Sequence, residues 1–248
     1  MCIRDRVETT QDNPSVVPKT TDEQKDTSQS KDDGKNNKAE SSDKKTEEKS
    51  EDKKVKSTGK RVYIYDTHQD ESYKGGKTVL DAAAILAQKL EDRGIKVVLE
   101  TNDFIRYRDT HGLTYNESYV VSYKYLNEAL VNYGGFDMCL DLHRDSIPRE
   151  ASYINIDGKN YAKGMFVVGG LGKNAKTATK LSTTLTDTIN AKKNGIMKGV
   201  MTREAYYNQE VAKNIVLMEL GGDVNTFEEV SNSLDVIADG IHDVLTKE

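Results

Sequence analysis

His68, in Tyr65-Asp-Thr-His-Gln-Asp-Glu71, and His143, in Asp141-Leu-His-Arg-Asp-Ser146, each stand where an apolar run gives way to polar residues. Two imidazoles so placed are suited to holding one zinc ion. A catalytic zinc site takes three protein ligands and keeps a fourth position for water, whose pKa falls to about 7. Glu71, separated from His68 by two residues, offers the third ligand, and Asp66, Glu100 and Glu117 are the alternatives. Glu219 is a lone carboxylate inside Ile215-Val-Leu-Met-Glu-Leu220, where an uncompensated charge would cost several kcal/mol of desolvation. It is the candidate general base. Arg144 could hold a substrate carboxylate through paired hydrogen bonds, and Asp141 or Asp145 could orient a ligating imidazole. Each residue also has a plainer reading. A strand-end histidine is commonly satisfied by a backbone carbonyl, an exposed glutamate is usually just solvated, and Glu219 could pair with Arg144. The recurrence of histidine at two equivalent places favours a metal, and the set together points to a hydrolase.

These residues need a scaffold that brings remote segments to one edge. The β-branched and aromatic run 61–67 reads as a strand that delivers His68. Val79, Ala82, Ala83, Leu86 and Leu90 recur at helical spacing over 78–93, and Gly94 suits the left-handed cap. A strand over 95–99 completes a parallel unit with a right-handed crossover. A second helix is expected over 115–132, with Tyr119, Ser122, Tyr123, Leu126 and Leu130 on one face. A strand over 136–142 then leads into His143. Asp157-Gly158 marks a hairpin between 151–156 and 161–168. A helix over 173–192, an edge strand over 196–201, a buried strand over 215–220 and a helix over 225–246 follow. The last helix turns Phe227, Val230, Leu234, Ile237, Ile241 and Leu245 inward. The alternation predicts an α/β fold, one domain whose twisted, mostly parallel sheet is covered by helices on both faces. Ligands in such sheets bind beyond the carboxyl ends of the strands, which is where His68, His143 and Glu219 fall.

The chain has 248 residues and a net charge of -5, unevenly distributed. Residues 1–58 are almost wholly polar and of mixed sign, as in Ser41-Ser-Asp-Lys-Lys-Thr-Glu-Glu-Lys-Ser50, and are expected to form a disordered linker. Mixed signs argue against nucleic acid, which requires a basic patch. Residues 59–248 are expected to form the single catalytic domain. Tryptophan is absent, so Val, Ile, Leu, Ala and Tyr must fill the core. Cys2 and Cys139 are expected to stay unpaired, Cys139 as a small buried apolar residue. No stretch approaches the ~20 apolar residues of a membrane helix. A tether normally joins two things, however, so a membrane anchor is expected to precede this chain. The glycine pairs 169–170 and 221–222 lack phosphate-loop spacing, and His111 and His242 are expected at the surface.

Several separated motifs resemble the stage II sporulation protein P family, in that family's order, over about residues 60–248. They are Thr67-His-Gln-Asp-Glu-Ser-Tyr73, Asp141-Leu-His-Arg-Asp-Ser-Ile147, Asp157-Gly-Lys-Asn-Tyr-Ala-Lys163 leading into Phe166-Val-Val-Gly169, Tyr207-Asn-Gln-Glu210, and Met218-Glu-Leu-Gly-Gly-Asp-Val-Asn-Thr-Phe-Glu-Glu229. The resemblance implies a zinc-dependent N-acetylmuramoyl-L-alanine amidase with the cell-wall amidase fold. Such an enzyme cuts the amide between muramic acid and the stem peptide of peptidoglycan. It implies that His68 and His143 are metal ligands, that Glu219 is catalytic, and that Glu71 is the acidic position of the first motif. The family commonly has histidine where this chain has Asp66. That position is expected to point back along the strand, away from the metal. The resemblance further implies engulfment during sporulation, at the outer face of the cytoplasmic membrane or between the engulfing membranes. Its implied partners are the sporulation protein D transglycosylase and sporulation protein M. A zinc peptidase on stem peptides and a non-catalytic wall-binding scaffold are the competing expectations.

Overall fold

The computed structural model describes residues 55–247. The linker expected over 1–58 therefore lies outside the described residues, except for 55–58. Thr58 already belongs to the folded unit, since its N–H and its hydroxyl both donate to the carbonyl of Gly94 at 2.9 Å.

In chain order the elements are β1 (Arg61–Tyr65), α1 (Val79–Glu91), β2 (Lys96–Leu99), α2 (Phe104–Thr110), α3 (Ser118–Tyr133), β3 (Met138–Asp145), α4 (Arg149–Ser152), β4 (Tyr153–Ile156), β5 (Lys159–Ala162), β6 (Gly164–Gly169), α5 (Ala175–Lys192), β7 (Met197–Arg203), β8 (Ile215–Gly222) and α6 (Phe227–Thr246). A 3-10 turn over Tyr115–Glu117 precedes α3. The main sheet has the order β2-β1-β3-β8-β6-β7. β2, β1, β3 and β8 are mutually parallel, while β6 runs antiparallel to β8 and parallel to the edge strand β7.

Because strand side chains alternate between faces, the sequence sorts itself into two cores. Val62, Ile64, Met138, Leu140, Leu142, Val216, Met218 and Leu220 pack with residues of α1, α5 and α6. Tyr63, Tyr65, Cys139 and Ile215 pack on the opposite side with Phe104 of α2 and with Val121, Leu126 and Ala129 of α3. Cys139 is a free, fully buried thiol. The odd-numbered positions that follow, Asp141, His143 and Glu219, therefore belong to the α3 face.

Three expectations are corrected. The run 161–168 is not one strand. β4 and β5 form the hairpin, with Asp157 and Gly158 both at positive φ (54° and 79°) as a type I′ turn requires. At Lys163 the chain then crosses into the main sheet, its N–H donating to the Ser152 carbonyl and its carbonyl accepting from Gly221 N–H. α2 was absent from the expected elements because Phe104 is the only residue it buries. On α3 the inward face carries Val121, Ser122, Leu126 and Ala129, whereas Tyr123 is 49% exposed.

Between β7 and β8, residues 204–214 lie against the α3-side core, with Val211 and Ala212 packed there. This segment passes so close to Gly169 that a Cβ on that residue would meet Tyr206 O at 2.5 Å and Ala205 O at 2.7 Å. The obstacles are backbone atoms, so the loop would have to move. Gly169→Ala is expected to lose about 2 kcal/mol, within the range for overpacking a fitted interior, measured by urea denaturation. An unchanged midpoint would mean that the loop yields freely.

Candidate active site

The segment after β1 makes a tight turn in which Glu71 N–H donates to the His68 carbonyl at 3.0 Å, bringing the two side chains together. Gln69 fixes that turn to α2, accepting from Phe104 N–H at 2.8 Å and donating to the Asn102 carbonyl at 2.9 Å. His143 comes from the carboxyl end of β3. Its register partner on the adjacent parallel strand β8 is Glu219. Just beyond this pair the β3–β8 register shifts, between His143 and Asp145. Within that irregularity Arg144 N–H leaves the strand ladder and donates to Glu71 Oε2 at 3.0 Å. Arg144 also spends its guanidinium on this turn, with Nε donating to the Ser72 carbonyl at 3.0 Å. These two contacts fasten the ligand-bearing turn to β3.

His68, Glu71 and His143 form a buried group whose candidate ligand atoms lie within 4.8 Å of one another. His68 Nδ1 is 3.7 Å from Glu71 Oε1, and His143 Nδ1 is 3.5 Å from Glu71 Oε2. Tetrahedral zinc bonds of about 2.0–2.2 Å place neighbouring ligand atoms roughly 3.4 Å apart. Donor types and spacing thus fit such an ion. Two of the three other acids named from sequence are engaged elsewhere. Glu100 accepts from the Tyr63 hydroxyl, from Thr101 and Asn102 N–H, and from the Asn102 amide. Glu117 caps its own turn by accepting from Thr114. His111 stacks on Tyr107, and His242 lies beside Asp243, both apart from the cluster. Among the aromatics, Tyr73 is buried in the core and Tyr206 is 54% exposed.

Asp66, just after β1, is 1% exposed, and neither oxygen has a hydrogen-bond partner. Burial and the neighbouring Asp141 push its pKa well above the usual carboxylate range, with only partial opposition from His143. Burial without a counter-charge favours the neutral carboxyl.

The remaining electrostatics divide the carboxyls by role. Burial alone would raise Glu71, but the adjacent His143 and His68 imidazoles and the Arg144 N–H hold it well below the ordinary range, which favours the anion. Burial would likewise lower the His143 imidazole. Asp141 and Glu71 outweigh that effect and raise it. Glu219 is pushed up to about 7, mainly by burial, and its Oε2 is buried without a partner. His143 opposes this shift, while Glu71, Asp145 and Asp141 reinforce it. A carboxyl that titrates near neutrality is poised to take and return a proton.

The same shift makes a stability prediction for chelator-treated protein. Unfolded Glu219 ionises near its ordinary 4.5, whereas folded Glu219 keeps its proton until about 7. Its stabilising contribution is therefore complete below the lower value and disappears as pH rises through the higher one. Between pH 5 and pH 8 the melting temperature should fall more steeply for the native sequence than for Glu219→Gln. Parallel curves would show that this carboxyl is not desolvated.

Sequence reasoning missed several residues around the cluster. The Tyr115 ring stacks on His68 at 4.3 Å, and Tyr119 meets the same imidazole edge-on at 5.4 Å. Thr67 holds Asp141, donating from N to Oδ1 at 2.9 Å and from Oγ1 to Oδ2 at 2.7 Å. Asp141 Oδ1 in turn lies 3.0 Å from His143 Nε2, off the direction of a hydrogen bond. Of these, Thr67 adjoins a sequence motif and Tyr119 shares its helical face. Nothing local marks Tyr115.

This is an α/β protein with a buried His–Glu–His group and, at the carboxyl edge of its sheet, a glutamate with one buried oxygen that lacks a hydrogen-bond partner, and its fold is that of N-acetylmuramoyl-L-alanine amidases. AmiC2 of Nostoc punctiforme superimposes with a TM-score of 0.51 at 15% identity, covering 77% of this chain and 99% of that one. The CwlD amidase of Clostridioides difficile, solved with the GerS lipoprotein, gives 0.51 at 16% identity over 74% and 94%. The chain belongs to the stage II sporulation protein P family, whose family model matches residues 4–242. Stage II sporulation protein P of Bacillus subtilis (strain 168) is 31% identical over 199 residues, 73% of this chain and 50% of that protein. The chain thus spans about half the length of that relative.

Proposed function

We propose that this protein is a zinc-dependent N-acetylmuramoyl-L-alanine amidase that opens peptidoglycan during sporulation. The observation that carries the reading is the adjacency of a zinc-compatible His68–Glu71–His143 group and Glu219, the register partner of His143, whose Oε2 is buried without a hydrogen-bond partner. Family membership supports the sporulation role, and the amidase fold supports the reaction class.

In this reading His68, Glu71 and His143 hold the ion, which when bound supplies Lewis-acid polarisation of the scissile carbonyl and makes water nucleophilic near neutral pH. Glu219, as carboxylate, takes the proton of the attacking water while the new C–O bond forms. The resulting carboxylic acid returns that proton to the alanine nitrogen as the C–N bond breaks. The products are a free lactyl carboxyl on the glycan and a free amine on the stem peptide. Thr67 and Asp141 keep the His143 ring in place, and Arg144 secures the turn that carries Glu71.

Residues 59–248 are the catalytic unit in this account, and 1–58 a polar linker. Among the described residues no helix is long and apolar enough to cross a membrane. The enzyme would act at the outer face of the cytoplasmic membrane or between the engulfing membranes, with the sporulation protein D transglycosylase and sporulation protein M as partners. Product analysis tests the chemistry. Zinc-loaded full chain incubated with purified peptidoglycan should release stem peptides bearing new amino-terminal alanine. Stem peptides cut internally, with every lactyl amide intact, would replace the amidase with a peptidase.

A further inference from the structure

A continuous line of buried polar side chains runs from the loop between β7 and β8 to the end of β3. Asn208 Nδ2 donates to Ser122 Oγ at 3.0 Å and to the Tyr119 carbonyl at 2.9 Å. Ser122 Oγ and Thr67 Oγ1 are hydrogen-bonded at 2.9 Å, and Thr67 Oγ1 donates to Asp141 Oδ2 at 2.7 Å. The single hydroxyl proton of Thr67 goes to the carboxylate, the stronger acceptor, so Ser122 supplies the proton of the middle bond. Every donor along the line then points toward Asp141, an arrangement in which each bond polarises the next. Asn208, Ser122, Thr67, Asp141 and His143 are all buried. With water excluded, each group depends on its neighbour for satisfaction.

The far end of this line is held in an unfavourable backbone conformation. Tyr207 and Asn208 both have positive φ, 54° and 55°. Asparagine accepts that region readily, tyrosine does not, and such strain persists only where surrounding contacts impose it. Gln209 imposes it by accepting from Gly169 N–H at 2.9 Å and donating to the Val167 carbonyl at 2.8 Å. The Asn174 amide adds donations to the carbonyls of Gln209 and Glu210. The strained turn is thus fastened to β6 and the start of α5 while its asparagine reaches across to α3.

We propose that Asn208 is a positioning residue for the metal centre: through Ser122 and Thr67 it fixes the Asp141 carboxylate, whose Oδ1 packs against His143 Nε2 at 3.0 Å and so confines the ligating imidazole. The inference rests on the metal-site reading above and extends it to the loop between β7 and β8.

Zinc dissociation constants, measured on the full chain by competition with a chromophoric chelator, test it. Asn208→Gly keeps the left-handed backbone and removes the donor. It should weaken zinc binding by about tenfold or more, in the range found for supporting shells of metal sites. Thr67→Val should act in the same direction. In the Thr67→Val background, adding Asn208→Gly should change affinity by less than about threefold, because the line is already cut. A purely structural role would lower the stability of chelator-treated protein yet leave the dissociation constant alone, and that result overturns the proposal. So do effects that simply multiply in the double variant. His143→Ala separates the two levels. If it still binds zinc normally, the metal reading itself fails, whereas loss of zinc there beside full affinity in Asn208→Gly refutes the positioning role alone.

Discussion

Glu219→Gln is expected to abolish hydrolysis of peptidoglycan while leaving zinc bound. Glutamine keeps the shape and hydrogen-bonding reach of the side chain but can neither accept nor return a proton. General acid–base groups contribute about 10²–10⁴-fold to rate, so a loss of roughly 10³-fold is anticipated. The native group gains its competence from position. Its Oε2 is shielded and partner-free, and burial raises its pKa to about 7. Metal content after the substitution should equal that of the native protein, because the candidate ligands are His68, Glu71 and His143. Residual activity within tenfold of native would remove Glu219 from the chemistry. Loss of zinc together with activity would make it a ligand instead.

His143→Ala should release the metal and, with it, all activity. Removing residues that merely support a ligand typically costs 10–100-fold in affinity, and removal of a ligand must exceed that. His143 is also the centre of the charge arrangement. It lies 3.5 Å from Glu71 Oε2 and 3.0 Å from Asp141 Oδ1. Without the imidazole, two buried carboxylates lose their nearest cation-capable neighbour, so the variant should also be less stable than native protein at pH 5, where His143 is charged. Metal analysis by mass spectrometry reads the first effect and thermal denaturation the second. Zinc retained at full occupancy would break the ligand assignment.

The pairing of residue types with strand ends was legible because strands have a period of two. Met138-Cys-Leu-Asp-Leu-His143 and Ile215-Val-Leu-Met-Glu219 sort into alternate faces, and both chemical residues fall on the same one. The helices α1 and α6 were legible from their apolar stripes. α2 was not, since a helix held by one buried phenylalanine leaves no periodic signal. Asn208 was invisible for a different reason. Its partner Ser122 lies 86 residues away, and only the packing of a loop against α3 joins them. The Arg144 N–H likewise reaches Glu71 across 73 residues of chain because the register beyond His143 is irregular.

His143 and Glu219 sit opposite one another on hydrogen-bonded parallel strands. Their spacing is therefore inherited from the sheet itself, about 4.8 Å between backbones, and owes nothing to any connecting segment. Surface connections around the rim can lengthen, shorten or change composition without altering it.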